Sequence, residues 1–209
     1  IRPANWANSV IFVSYFNHFI MKINGRFILF TLVLIALQTI CKLLFAPQFE
    51  WSGFSPFIAI ALFSGFMVKE KNMSFLLPLL ALLASDAIIH LLYINKQFEF
   101  AGFYSGMWKN YLLLLVSTLI GLGLKGRSYA TIFLGAIAAP TLYFLASNFL
   151  VWQGTGEAVY AKNFNGLMTC YEAGLPFYRN SLIATLLFLP VILLVFNYLT
   201  RKKAVITLA

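Results

Sequence analysis

Asp86 sits inside a long apolar run, MSFLLPLLALLASDAIIHLLYI, with His90 one helical turn on and Tyr93 continuing the same face. A carboxyl group in hydrocarbon must be paired, hydrogen-bonded, hydrated or protonated, so an intramembrane aspartate is a candidate functional group by default. Its roles stay open: an interhelical tether to Arg179, Asn148 or a hydroxyl, a contact for a solute or ion, or a proton relay. His90 reads as a hydrogen-bonded structural residue rather than a metal ligand. The chain has two histidines, and Cys41 and Cys170 fit no metal spacing. No metal or cofactor is expected. An integral-membrane enzyme would need a nucleophile or metal set with a base. No Ser/His/Asp set, HExxH or phosphate-gripping glycine loop is present, so the chain reads as non-enzymatic.

The second concentration of polar chemistry is Tyr143 to Ser181, which joins two apolar runs. Trp152, Tyr160, Phe164, Tyr171, Phe177 and Tyr178 are interleaved there with Asn148, Glu157, Lys162, Glu172, Arg179 and Asn180. Amphipathic rings beside polar groups belong at a membrane surface or a pocket mouth. The stretch therefore reads as an interfacial loop with an aromatic belt or as a lid over a solute site.

Composition sets the class that must position these groups. With 61% hydrophobic and 10% charged residues, 209 residues make one polytopic, all-α membrane domain and exclude a water-soluble core. The formal charge of +9 comes from Lys and Arg dispersed between apolar runs, which reads as topology and excludes a nucleic-acid surface. Residues 1–20 read as an N-terminal extension or upstream fragment ahead of Met21, and 204–209 as a tail.

Six spans are expected at about 27–45, 54–68, 73–94, 107–124, 129–152 and 181–199. Lys42 at the far end of the first can snorkel to headgroups. The second opens after Pro56 and carries Ala59, Ala61, Ser64 and Gly65; it is short, roughly 22 Å against a hydrocarbon core of about 30 Å. The fifth places Gly135, Ala136, Ala138 and Ala139 before Pro140, and Pro190 interrupts the sixth. Both prolines predict bends, with space between these two helices. An extracytoplasmic loop is expected at 153–180.

Alternate loops differ in basic residues. One side carries Arg2, Lys22, Arg26, Lys69, Lys71, Lys125, Arg127, Arg201, Lys202 and Lys203; the other carries Lys42, Lys96, Lys109, Lys162 and Arg179. The positive-inside rule then puts both termini in the cytoplasm. Asp86 lies roughly 18 Å from the cytoplasmic start of its helix, past the midplane. At that level Asp86, Asn148 and Arg179 are expected to meet on the floor of an outward-facing pocket.

The stretches FSPFIAIALFSGF (54–66), LLPLLALLASDAIIH (76–90), SNFLVW (147–152) and NGLMTCYEAGLPFYRNSL (165–182) resemble an uncharacterised family of small bacterial six-helix membrane proteins described as transport proteins. That family in turn is similar to the substrate-capturing S components of energy-coupling-factor vitamin transporters. The resemblance implies a six-helix bundle in the bacterial inner membrane. It also implies a small, vitamin-like solute, and a coupling subunit with ATPases as partners. It further implies Asp86, Asn148, Trp152, Tyr171, Arg179 and Asn180 as motif residues. With His90 and Glu172 these are the candidate solute-binding residues. S components dock through alanines spaced four apart on their first helix; here the small residues at that spacing are Ala61 and Gly65 of the second span. The alternative reading is a structural or assembly protein in which Asp86 only ties helices together.

Overall fold

The computed structural model describes residues 25–200. The expected extension at 1–20, the basic residues 201–203 and the tail 204–209 lie outside the described residues. Among the described residues the chain is all-helical. In order come α1 (Gly25–Phe45), a 3-10 turn (Phe49–Trp51), α2 (Phe57–Met67), α3 (Lys71–Ile94), α4 (Trp108–Gly123), α5 (Tyr129–Gly154) and α6 (Phe164–Thr200). Four of these are long and apolar enough to cross a membrane: Phe27–Phe45, Lys71–Ile94, Tyr129–Gly154 and Phe164–Leu199. The two shorter apolar helices are α2 and α4.

The bundle is built around its shortest helix. At eleven residues α2 is about 16 Å long, too short to span hydrocarbon. It resolves the mismatch by facing none. Every residue from Ile58 to Phe66 is buried, which is the condition of a helix that is apolar on all sides. It packs against α3, α4, α5 and α6, and Phe63 meets Phe30 of α1 at 5.3 Å and Phe196 of α6 at 5.2 Å between ring centroids. Small residues set the closest crossing: a Cβ on Gly65 would lie 2.7 Å from the backbone of Gly121 in α4. Ala61 and Gly65 are thus consumed inside the bundle and form no docking face. In α5, Gly135, Ala136 and Ala139 turn inward, whereas Ala138 faces out.

The expected 153–180 loop is corrected. Only about 155–163 is non-helical, and α6 runs unbroken from Phe164 for 37 residues, about 55 Å. Asn163 starts it, its Oδ1 accepting from Gly166 N at 2.9 Å as an N-cap. Interleaved polar and aromatic residues made this stretch read as loop, but they lie on a helix in which Gly174 serves close packing: a Cβ there would collide with the Asn148 side chain of α5. α5 and α6 form a long hairpin. Cys170 Sγ donates to Asn148 O at 3.4 Å and Tyr171 OH to Leu145 O at 3.1 Å. At its tip, Trp152 Nε1 donates to Ala161 O at 2.9 Å while Lys162 bonds the Trp152 carbonyl and lies 5.4 Å over the Trp152 ring.

Pro140 and Pro190 both sit inside uninterrupted helices. A third proline, Pro78, has a visible compensation. Lacking an N–H, it leaves the Ser74 carbonyl without its helical donor. The hydroxyl of Ser64 on α2 fills that place, donating to Ser74 O at 2.7 Å in a fully buried position. Ser64→Ala is expected to cost about 1–3 kcal/mol by stranding this carbonyl. Adding Pro78→Ala, which restores an in-helix donor, should recover most of the loss. A double-mutant cycle on melting temperature in detergent checks the coupling; strictly additive effects would refute it.

Candidate functional site

A cavity of about 710 Å³ opens between α1, α3, the first turn of α4 and the two connections at that end of the bundle. Helical spacing explains which side chains reach it. Gln38, Cys41, Lys42 and Phe45 share one face of α1, and Leu82, Asp86 and Ile89 one face of α3. Asn110 and Tyr111 enter from α4 and Tyr143 from α5. Trp51 and Phe54 from one connection, with Phe98 and Phe100 from the other, make the remaining wall largely aromatic.

An ion pair crosses the cavity between two helices. Lys42 Nζ lies 2.5 Å from Asp86 Oδ1, with side-chain exposures of 20% and 12%. Lys42 also donates to Ser85 Oγ at 2.8 Å, and Tyr111 OH donates to Asp86 Oδ2 at 2.6 Å. Each carboxylate oxygen therefore has a protein donor, which is what makes a charge tolerable at such burial. A second chain of bonds lies beside it. Tyr143 OH donates to Asn110 Oδ1 at 3.0 Å, and Asn110 Nδ2 donates to Tyr104 OH at 2.5 Å. On the α1 side, Gln38 Nε2 donates to Ser55 Oγ at 2.9 Å.

The two connections are held differently. Asn180 of α6 donates through Nδ2 to Glu50 O at 2.7 Å and Ser52 O at 2.9 Å, and Ser181 Oγ donates to Gly53 O at 3.1 Å. Gly53 has φ +85°, a conformation that favours glycine, and a Cβ there would also meet Phe177 O at 3.0 Å. The 98–107 connection instead lies directly on α3. A Cβ on Gly102 would collide with the backbone of Asp86 and His90, so only glycine permits the approach. His90 packs against Phe103 at 5.1 Å between centroids and carries a buried Nδ1 without a partner.

These contacts redistribute the sequence candidates. Asp86 lines the cavity, but its partner is Lys42 and not Arg179, which is exposed and outside the lining. Helix α6 starts early enough to turn Arg179 away from the cavity while its neighbour Asn180 turns in. Lys42 does not snorkel; it bends inward. Asn180 holds the wall through its amide and is not itself in the lining. His90 supports the same region from behind α3. Asn148, Trp152 and Tyr171 belong to the α5–α6 hairpin, and Glu172 is exposed. No α6 residue lines the cavity, so it is not a space between α5 and α6 at Pro140 and Pro190, although Tyr143, one turn from Pro140, lines it and Phe54 of its wall packs on Phe188 of α6 at 5.6 Å.

Sequence reasoning missed Lys42, Tyr111, Asn110, Tyr104 and Gln38. One signal was present: Lys42, near the end of its apolar run, stands at a level comparable with Asp86 in the third. Opposite charges at equal depth are each other's cheapest partners.

Residues 21–206 match a family described as a family of unknown function, DUF6580. No curated protein and no solved structure matches the chain.

Lys42→Met strands the Asp86 carboxylate, and Asp86→Leu strands the ammonium. Each is expected to cost about 3–5 kcal/mol, whereas the double variant should approach wild-type stability. Chemical or thermal unfolding in detergent measures all three. A double variant as unstable as the worse single one would refute the pairing.

Proposed function

We propose, for a chain that belongs to DUF6580, a family of unknown function, that it captures a small solute in this cavity for uptake across a membrane. The observation that carries the reading is the cavity itself: about 710 Å³, largely aromatic, with a Lys42–Asp86 pair at its polar side. That is the size and the mixture of apolar wall and few placed polar groups that small-molecule sites show. The pair is costly to build where simple packing would serve, which favours a binding role.

Orientation rests on the basic residues. Lys69, Lys71, Lys125 and Arg127 gather at the end opposite the cavity, where Lys125 Nζ donates to Val68 O at 3.1 Å. By the positive-inside rule that end is the cytoplasmic one, so the cavity opens outward and the chain traverses a bacterial inner membrane six times, α2 enclosed within the bundle rather than set against lipid, with both termini inside. No ATP-binding motif occurs in the sequence, so uptake driven by ATP needs a coupling subunit and ATPases, as in the S components that the chain resembles. A second reading draws on the ion pair alone: Asp86 joins α1, α3 and α4 through Lys42 and Tyr111, and a purely structural tether would look the same.

Filling the cavity separates the two. Ala101→Trp puts an indole into the lining. Membranes carrying the wild type and the variant are incubated with a metabolite extract, washed, and their retained small molecules identified by mass spectrometry. Capture predicts at least one compound retained by the wild type and lost by the variant at equal melting temperature; identical profiles would leave the tether reading. Topology is checked in a Cys41→Ala/Cys170→Ala background. A membrane-impermeant thiol reagent added to intact cells should label Glu157→Cys and miss Arg127→Cys, and the reverse pattern overturns the orientation.

A further inference from the structure

The hydrogen bonds inside the cavity leave it with donors to spare. Each oxygen of Asp86 already accepts from the protein, Oδ1 from Lys42 and Oδ2 from Tyr111. Asn110 Oδ1 accepts from Tyr143. Of the three ammonium protons on Lys42, two go to Ser85 Oγ and Asp86 Oδ1, and the third is open. Asn110 uses one of its two amide protons on the Tyr104 oxygen, which leaves its second N–H and the Tyr104 hydroxyl proton. The carboxylate charge is already balanced by Lys42, so the cavity presents no net charge to a solute.

The walls restrict shape. Phe45 packs on Phe54 at 4.9 Å and on Trp51 at 5.7 Å, Phe57 on Tyr143 at 5.1 Å, and Phe98 on Phe100 at 5.9 Å between centroids. Such rings favour a flat π-surface against them.

Resting on the capture reading, we propose that the solute is a flat, uncharged heteroaromatic molecule whose edge carries hydrogen-bond acceptors, carbonyl oxygens or ring nitrogens, received by Lys42, Asn110 and Tyr104. A cation meets the Lys42 ammonium beside the one carboxylate of the lining, whose charge that ammonium already offsets. An anion brings a charge that the Lys42–Asp86 pair has no counterpart for.

A matched series tests this on the purified full chain: quinoline-3-carboxamide, quinoline-3-carboxylate and the 1-methylquinolinium-3-carboxamide cation, titrated calorimetrically. The carboxamide is expected to bind tightest, the cation at least about tenfold more weakly. Asn110→Asp keeps an acceptor for Tyr143 but removes the amide donors and adds a negative charge. In this variant, with melting temperature as the check on folding, the gap between carboxamide and cation should close or reverse. The folded Lys42→Met/Asp86→Leu protein should lose about tenfold for the carboxamide. A cation that binds the wild type as tightly as the carboxamide overturns the proposal, as does a carboxylate that binds more tightly, or a gap unchanged in Asn110→Asp. Binding by none of the three overturns it too. Capture as such is judged apart from these outcomes, by the metabolites that the wild type retains and the Ala101→Trp protein loses.

Discussion

A carboxylate inside an apolar bundle dictates what its neighbours must be. Asp86 is held by an ammonium from α1 and a phenol from α4, so the three helices are fixed at one level by a single residue. Hydrocarbon side chains could have closed the same space. Lys42, Ser85 and Tyr111 instead keep polar atoms gathered at one side, and the aromatic rings opposite them cannot collapse onto that polar side without desolvating it. The cavity is the geometric remainder of satisfying one charge.

The same requirement recurs in the core without any charge. α2 is too short to meet lipid at both ends and is therefore enclosed by the rest of the bundle. Enclosure brings its hydroxyl Ser64 against a carbonyl that Pro78 has freed on α3. On the side facing α4, Gly65 and Gly121 let the two backbones come into direct contact. Packing and polar satisfaction are thus one problem: a wider crossing of α2 and α3 would open a void and also leave the Ser74 oxygen unpaired.

Much of the helical order was legible because long apolar runs have few alternatives, and the boundaries at Phe45, Ile94 and Tyr129 fall where the sequence places them. What could not be read was the direction in which each polar residue turns. A lysine near the end of an apolar run serves headgroup and core equally well until the helix rotation is known, and Lys42 turned in. The 164–180 stretch misled for a related reason. Its polar and aromatic residues read as a surface loop, yet they ride on a helix in which Gly166 and Gly174 are places where another backbone or side chain comes too near for a Cβ. The motif SNFLVW with NGLMTCYEAG therefore encodes a tight hairpin, while the chemistry was divided among residues far apart in the chain: Lys42, Asp86, Asn110 and Tyr111.

The cavity is flanked by two unequal doorposts. The 46–56 connection is bolted to α6 by three side-chain hydrogen bonds from Asn180 and Ser181. The 98–107 connection leans on α3 through the bare backbone of Gly102 and is latched to α4 through the Asn110–Tyr104 bond. Local opening follows the segment with fewer buried ties. If the cavity captures a solute as proposed, the Gly102 side is where it would enter, and the latch that would yield there, Asn110, is also one of the groups facing the interior, so that admission and recognition would share a residue.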